Sequence, residues 1–394
     1  MRKGWEYKKL GEVATFINGD RGKNYPSAKD FVESGVPFIN AGHLNNGIIS
    51  YDKMNYITIN KYNSLGSGKI IKNDILFCLR GSLGKYAIVA EDSMGAIASS
   101  LVIIRPFQNA DNRFIAHFLS SAKIKEYIAK NNNGSSQPNL SAKSVASFII
   151  PLPTLSTQLA IVSELDKINE LIRLKKEQLK DFDNLAQSLF YEMFGDPVEN
   201  EKGWEAKKLG EIGEFKNGLN FSKDENGHSI KFLGVSDFQN KKSIASDQLD
   251  CISLSECVQE DYLLKTGDIV FVRSNGKKEL IGRSVKMYIT EPTTYSGFCI
   301  RCRITDEKVD KDYIAILLKT PIIRQFMTNS GRGCNISNLN QKILNSIPTI
   351  LPPLPLQRLF AQRIEQIERE KSEVQKSIQD LETLLASRMQ YWFE

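Results

Sequence analysis

Apolar positions along this chain follow two different periods, and the change of period divides it into four segments. Residues 1–152 and 199–352 carry short apolar runs, VPFIN, DILFCL, YAIVA and SLVIIRP in the first and IKFLGV, DIVFVR, SVKMYI and FCIRCRI in the second. Runs of this length between glycine- and asparagine-rich turns predict strands. Each set is followed by one predicted helix, near Arg113 to Ala129 and near Asp312 to Thr328. In residues 153–198 and 353–394 the period lengthens. Leu165, Ile168, Ile172, Lys175, Leu179, Phe182, Ala186, Leu189 and Met193 alternate by three and four, the spacing of a coiled-coil seam. Ser156 or Thr157 is a suitable N-cap, and neither proline nor glycine follows until Gly195, so one helix of about 38 residues and roughly 57 Å is predicted.

The same text is written twice. GWEYKKLGE begins at Gly4 and GWEAKKLGE at Gly203. At the same offset of 199, Asn139-Leu140 falls on Asn338-Leu339, Pro153 on Pro352, Leu155 on Leu354 and Gln158 on Gln357. The seam recurs as Ile364, Ile367, Lys371, Val374, Ile378, Leu381, Leu385, Arg388 and Trp392. The middles diverge; Lys72–Phe77 still resembles Thr266–Phe271, at an offset of 194. The chain is therefore a tandem duplication with a shared frame and private interiors.

An α+β class follows, with two mostly β domains at 1–152 and 199–352 and two spacer helices at 153–198 and 353–394. The helices pair most simply with each other, antiparallel, because the chain builds a whole domain before returning; the alternative is that each packs on its own domain. Lys175, Lys371 and Arg388 interrupt the seams and point to further helices from a partner. Trp5 and Trp204 read as anchors of the first strand, Asn18-Gly19 and Asn217-Gly218 as turns, and Met193 and Trp392 as packing residues.

Charge divides along the same lines. Lys and Arg outnumber Asp and Glu by 19 to 11 in residues 1–152 and by 22 to 20 in 199–352, whereas the helices carry 5 against 8 and 6 against 7. Basic domains on slightly acidic rods fit a polyanion at the domains and protein at the rods. No apolar run approaches the ~20 residues of a membrane span, and no apolar signal core follows MRKGWEYKK, which predicts a cytoplasmic protein. The six cysteines show no repeated framework. No GxxxxGK[ST], HExxH, GxSxG or N/D-P-P-Y/F segment is present, and His43, His117 and His228 are scattered. Cys299 and Cys302 sit three apart in a predicted strand, which turns them to opposite faces and leaves no metal site. Catalysis by this chain is not expected.

Two divergent units, each opening G-W-x-x-K-K-L-G-E, carrying D-I-L/V-F before a basic glycine loop, and closing with N-L, a proline turn and a long helix, resemble the specificity subunit of type I restriction-modification systems over essentially the whole length. The resemblance implies a subunit with no enzymatic activity that reads the two halves of an interrupted DNA site. It further implies two target-recognition domains whose separation is fixed by conserved spacer helices. Two methyltransferase subunits and two motor-endonuclease subunits would dock on it and supply S-adenosylmethionine, ATP and magnesium binding. A two-domain protein-binding scaffold is the alternative. Candidate DNA contacts lie in loops where arginine, asparagine, glutamine or serine can meet bases and lysine can meet phosphate. In the first domain these are Arg21, Lys23, Asn24, Arg80, Ser82, Lys85, Ser136 and Gln137; in the second, Lys223, Arg273, Asn275, Lys277, Lys278, Arg332 and Asn335. RGSLGK and RSNGKK read equally well as hairpin turns.

Overall fold

A computed structural model of the chain describes residues 2, 4–45, 47–131, 139–220, 223–238, 243–276, 278–329 and 338–394, without the side chains of 131, 223–226, 278 and 329. The chain divides into two compact units, one of Met1–Glu177 with Gln375–Glu394 and one of Gln178–Val374.

In the first unit the central sheet runs Ala14–Asn18, Leu101–Pro106, Ile75–Cys78, Tyr86–Ile88, every neighbour antiparallel. Alternate residues of its inner strands enter different cores. Ile75, Phe77, Val102 and Ile104 face Phe114, Ile115 and Phe118 of the helix Asn112–Ser120, while Leu76, Cys78, Leu101 and Ile103 face Ile39, Leu44 and Ile97. Burial on both faces is why ILFC and LVII are continuous rather than alternating. A second sheet, Ala96–Ile97, Val36–Ile39, Tyr56–Ile57, Phe31–Val32, lies beside it in the same unit. The second unit repeats the plan with a central sheet of Gly213–Asn217, Cys299–Ile304, Ile269–Val272, Ser284–Tyr288 and Ser243–Ala245. Cys299 and Cys302, both fully buried, enter two different cores of that unit, as strand alternation requires.

Where one helix was expected after each set of strands, there are two. Asn112–Ser120 stops before Ala122–Asn131, and Lys311–Leu317 before Pro321–Asn329. In the second unit Thr320 lies outside both helices, ahead of Pro321, which cannot donate to the preceding turn and disfavours a helical residue before it. In the first unit Ser121 is extended (φ −67°, ψ 160°), ending the turn that its N–H closes onto the Phe118 carbonyl.

The repeated phrase builds a frame. Glu6–Lys9 pairs antiparallel with Ile149–Leu152, and Glu205–Lys208 with Pro348–Leu351. The following leucine, fully buried in each unit, donates its N–H to the Phe148 carbonyl (Leu10, 2.8 Å) or the Ile347 carbonyl (Leu209, 2.9 Å). The glutamate of LGE takes the N–H of Lys9 in one copy and of Lys208 in the other. Trp5 stacks on Trp392, their centroids 6.1 Å apart, and Trp204 donates its indole N–H to the Phe194 carbonyl.

Each long helix has 40 residues, Leu155–Phe194 and Leu354–Phe393. The first begins earlier than expected. Its N-terminal hydroxyl is that of Thr154, which takes the Thr157 N–H at 3.4 Å; Ser156 and Thr157 already lie inside the first turn. Within the first unit Glu164 meets Arg388 and Lys176 meets Glu382, so the two segments run antiparallel. Within the second, Asp183 meets Lys371 and Phe190 meets Phe360, again antiparallel. Of the seam positions, Leu165, Ile168, Ile172, Ile364, Ile367, Val374 and Ile378 are buried; Leu179, Phe182, Leu189, Leu381 and Leu385 are half-buried. Two of the three charged interruptions are matched inside the chain. Lys371 binds Asp183 at 2.5 Å, and Arg388 and the Trp392 indole share the Glu164 carboxylate. Lys371 and Arg388 therefore carry no requirement for a further helix.

Candidate nucleic-acid interface

Strand register decides where the candidate loops emerge. In the first unit Asn18 stands opposite Val102, and Leu101 opposite Cys78. The end of Ala14–Asn18, the start of Leu101–Pro106 and the end of Ile75–Cys78 thus coincide, and the loops carrying Arg21, Lys23 and Asn24 and carrying Arg80, Ser82 and Lys85 leave one sheet edge. In the second unit Asn217 stands opposite Ile300, and Cys299 opposite Val272, so the loops after Asn217 and after Val272 also share an edge. The N-L dipeptide brings a third loop there. Leu140 donates its N–H to the Leu79 carbonyl, Leu339 to the Arg273 carbonyl, each at 2.8 Å, and Asn139 bridges Arg80. Leu140 and Leu339 thereby pin the chain that follows each third loop to the candidate edge.

The opposite edge belongs to the frame. The Gln158 side chain, wholly buried, donates to the carbonyls of Asn109 and Pro153 and accepts the Asp111 N–H at 2.9 Å. Gln357 repeats this with Lys308, Pro352 and Asp310. Asp111 and Asp310 in turn cap the helices that follow them. Each long helix is in this way tied to the end of its sheet that lies away from the candidate loops. The glutamines stood out in the sequence only as repeated letters.

Arg21, Lys23, Arg80, Ser82 and Lys85 are exposed, and Asn24, Arg273 and Asn275 half-buried. Lys23 and Asn24 lie in a short turn of 3-10 helix, Gly22–Asn24. Lys223 opens the strand Lys223–Leu233 and Lys278 the short turn Lys278–Leu280, their side chains outside the described residues. Ser136, Gln137, Lys277, Arg332 and Asn335 lie wholly outside them. RGSLGK is indeed the connection between antiparallel strands, with Gly81 and Gly84 both at φ +81°, but it is a connection that holds its arginine and lysine in solvent. Asn18-Gly19 and Asn217-Gly218 are more than turns. A Cβ would lie 2.7 Å from the Ala98 carbonyl oxygen at Gly19 and 2.1 Å from that of Ser296 at Gly218, so close backbone approach demands glycine.

At the other end of each central sheet, away from the candidate loops, is a carboxylate–guanidinium pair. Asp74 takes Arg105 at 2.8 and 2.9 Å and also the Ile71 N–H; Asp268 takes Arg303 at 2.8 and 2.7 Å and the Lys265 N–H. Both carboxylates are buried, and both arginines are held more firmly protonated by the bidentate bond. This explains the aspartate of D-I-L/V-F as structure. Cys78 and Cys299, near the edges, have thiols raised by burial, Cys299 to about 12, which leaves them neutral and unreactive at physiological pH. The chemistry on offer at each edge is recognition by hydrogen bonding and charge.

The chain matches the family model of the type I restriction modification DNA specificity domain over residues 2–181 and again over 201–383. It is 24% identical over 413 residues to the specificity subunit of the StySPI type I restriction enzyme of Salmonella potsdam, covering 99% of this chain and 88% of that protein. To the EcoKI specificity subunit of Escherichia coli K12 it is 24% identical over 401 residues, covering 96% and 85%. A chain solved in work on complex assembly and conformational transition of the type I R-M system superposes with a TM-score of 0.67 at 19% identity, covering 99% of this chain and 97% of that one.

Proposed function

Since this chain belongs to the type I restriction-modification DNA specificity family, we propose that it is the non-catalytic subunit that chooses the DNA sequence on which such a complex acts. Each unit reads one half of a bipartite site through the loops at its sheet edge, and the long helices set the separation of the half-sites and dock methyltransferase subunits. One observation carries this reading. In both units the divergent loops leave one edge of the central sheet, and the repeated Gln158 and Gln357 hold the long helix to the other. A part that must differ between units to read different bases is separated from a part that must stay alike to meet the same partner.

Two copies of the frame imply two methyltransferase subunits, and with them two motor-endonuclease subunits. Those partners bring S-adenosylmethionine, ATP and magnesium. Of the candidate contacts, Arg21, Arg80 and Arg273 are suited to bidentate recognition of guanine, and Asn24 and Asn275 to adenine. Lys23, Lys85, Lys223, Lys277 and Lys278 are suited to phosphate.

Exchange of residues 1–152 for the corresponding domain of a relative with different specificity tests the assignment. Binding-site selection with the chain and its methyltransferase should then return one altered half-site and one unchanged. An unaltered selection would remove the reading.

A further inference from the structure

Phe298 projects from the candidate reading edge of the second unit with 59% of its surface exposed. Hydrogen bonds fix both its N–H and its carbonyl. The Phe298 carbonyl accepts the N–H of Arg273 at 2.8 Å and of Ser274 at 3.4 Å, and its own N–H donates to the Ser296 hydroxyl at 3.2 Å. The preceding Gly297 donates to the Leu219 carbonyl at 2.8 Å, and a Cβ there would meet the Asn220 side chain at 2.1 Å. The turn Ser296–Phe298 is therefore wedged between the loop after Asn217 and the loop after Val272, two of those that carry candidate contacts of this unit.

A phenylalanine buries well, so leaving it in water on a rigid turn forgoes the gain its burial would bring. The matching turn of the first unit, whose Ser100 carbonyl accepts the Leu79 N–H at 2.8 Å, places a serine there. The ring is thus not a requirement of the fold, and it belongs to the part that differs between units. Among basic and amide side chains, the apolar surface of DNA available to such a ring is a thymine methyl group or the face of a base.

We propose that Phe298 is a specificity-determining residue that makes an apolar base contact in the half-site read by the second unit. This rests on the function proposed above. The test compares the full-length chain with F298S and F298A, each purified with its methyltransferase, in binding-site selection from duplexes randomised at both half-sites. The expected result is relaxed preference at one or two adjacent positions of the second half-site, with about tenfold weaker binding of the wild-type site, and an unchanged first half-site. Selection of the same second half-site by F298S, with affinity within about twofold, would overturn the proposal. A wild-type chain that prefers no sequence at either half-site would instead defeat the functional reading itself, and this inference with it. Replacing thymine by uracil at the relaxed position then distinguishes the sources. A loss of similar size for the wild type, absent in F298A, identifies the methyl group, and equal binding identifies a stacked base.

Discussion

Single residues divide between the frame and the candidate reading edge, and the two kinds should fail differently. Phe393, 1% exposed, lies against Phe114 and Phe118 with centroids 5.3 and 5.8 Å away, so the last turn of the chain completes the core of the unit that holds its first residues. Phe393→Ala should cost about 3–5 kcal/mol in urea unfolding. Retention of wild-type stability would mean that the final turn does not pack as described. Gly218 fails in another way. A methyl group there meets the Ser296 carbonyl, which is held by the Cys299 N–H at 2.8 Å, so Gly218→Ala should cost about 1–3 kcal/mol by overpacking. Because that carbonyl belongs to the turn bearing Phe298, the same variant should lose preference at the second half-site and keep it at the first.

At the scale of elements, the long helices were legible and their boundaries less so. A three-four repeat sustained from Leu165 to Met193 and again from Ile364 to Trp392 is hard to produce by chance, and the buried Leu165, Ile168, Ile364 and Ile367 fall on it. The first turn escaped because Ser156, Thr157 and Thr154 are equally good caps as letters. The choice was made by the backbone after Pro153. The paired helices near Arg113 and Asp312 were read as single ones although Pro321 stood in the second as a visible breaker. The edge loops were legible as polar segments, but their gathering was not, since it depends on strand register and on the Leu140 and Leu339 amides. Phe298 was missed because nothing local distinguishes an exposed phenylalanine from a core one. The charged seam residues also give a pH prediction. The hydrogen bond from Arg388, and secondarily that from Trp392, holds the Glu164 carboxyl below its ordinary range. A depressed carboxyl contributes stability above its unfolded pKa and loses it as pH falls through the folded value. Glu164→Gln should therefore lower the Tm by about 2–4 °C at pH 7. The gap from wild type should close in acid, below the folded pKa of Glu164; a gap persisting there would assign the effect to packing.

Across the whole molecule the charge is uneven, and this bears on how DNA is held rather than which DNA is chosen. Residues 1–152 carry a net +8 from 19 basic and 11 acidic side chains, against +2 for residues 199–352. Phosphate binding releases condensed counterions, and the logarithm of the binding constant falls with that of salt by about 0.9 per phosphate neutralised. The exposed Lys23 and Lys85 sit at the edge of the more basic domain, on loops that leave the sheet together. Replacing both by glutamine should reduce the salt slope by about 2 and weaken specific and non-specific duplexes by similar factors. Replacing Arg80, a base-reading candidate, should weaken the specific site more and reduce the discrimination. Equal salt slopes for the wild type and the double lysine variant would remove these lysines from the phosphate contact. An Arg80 variant that lost both duplexes equally would move Arg80 from the bases to the backbone.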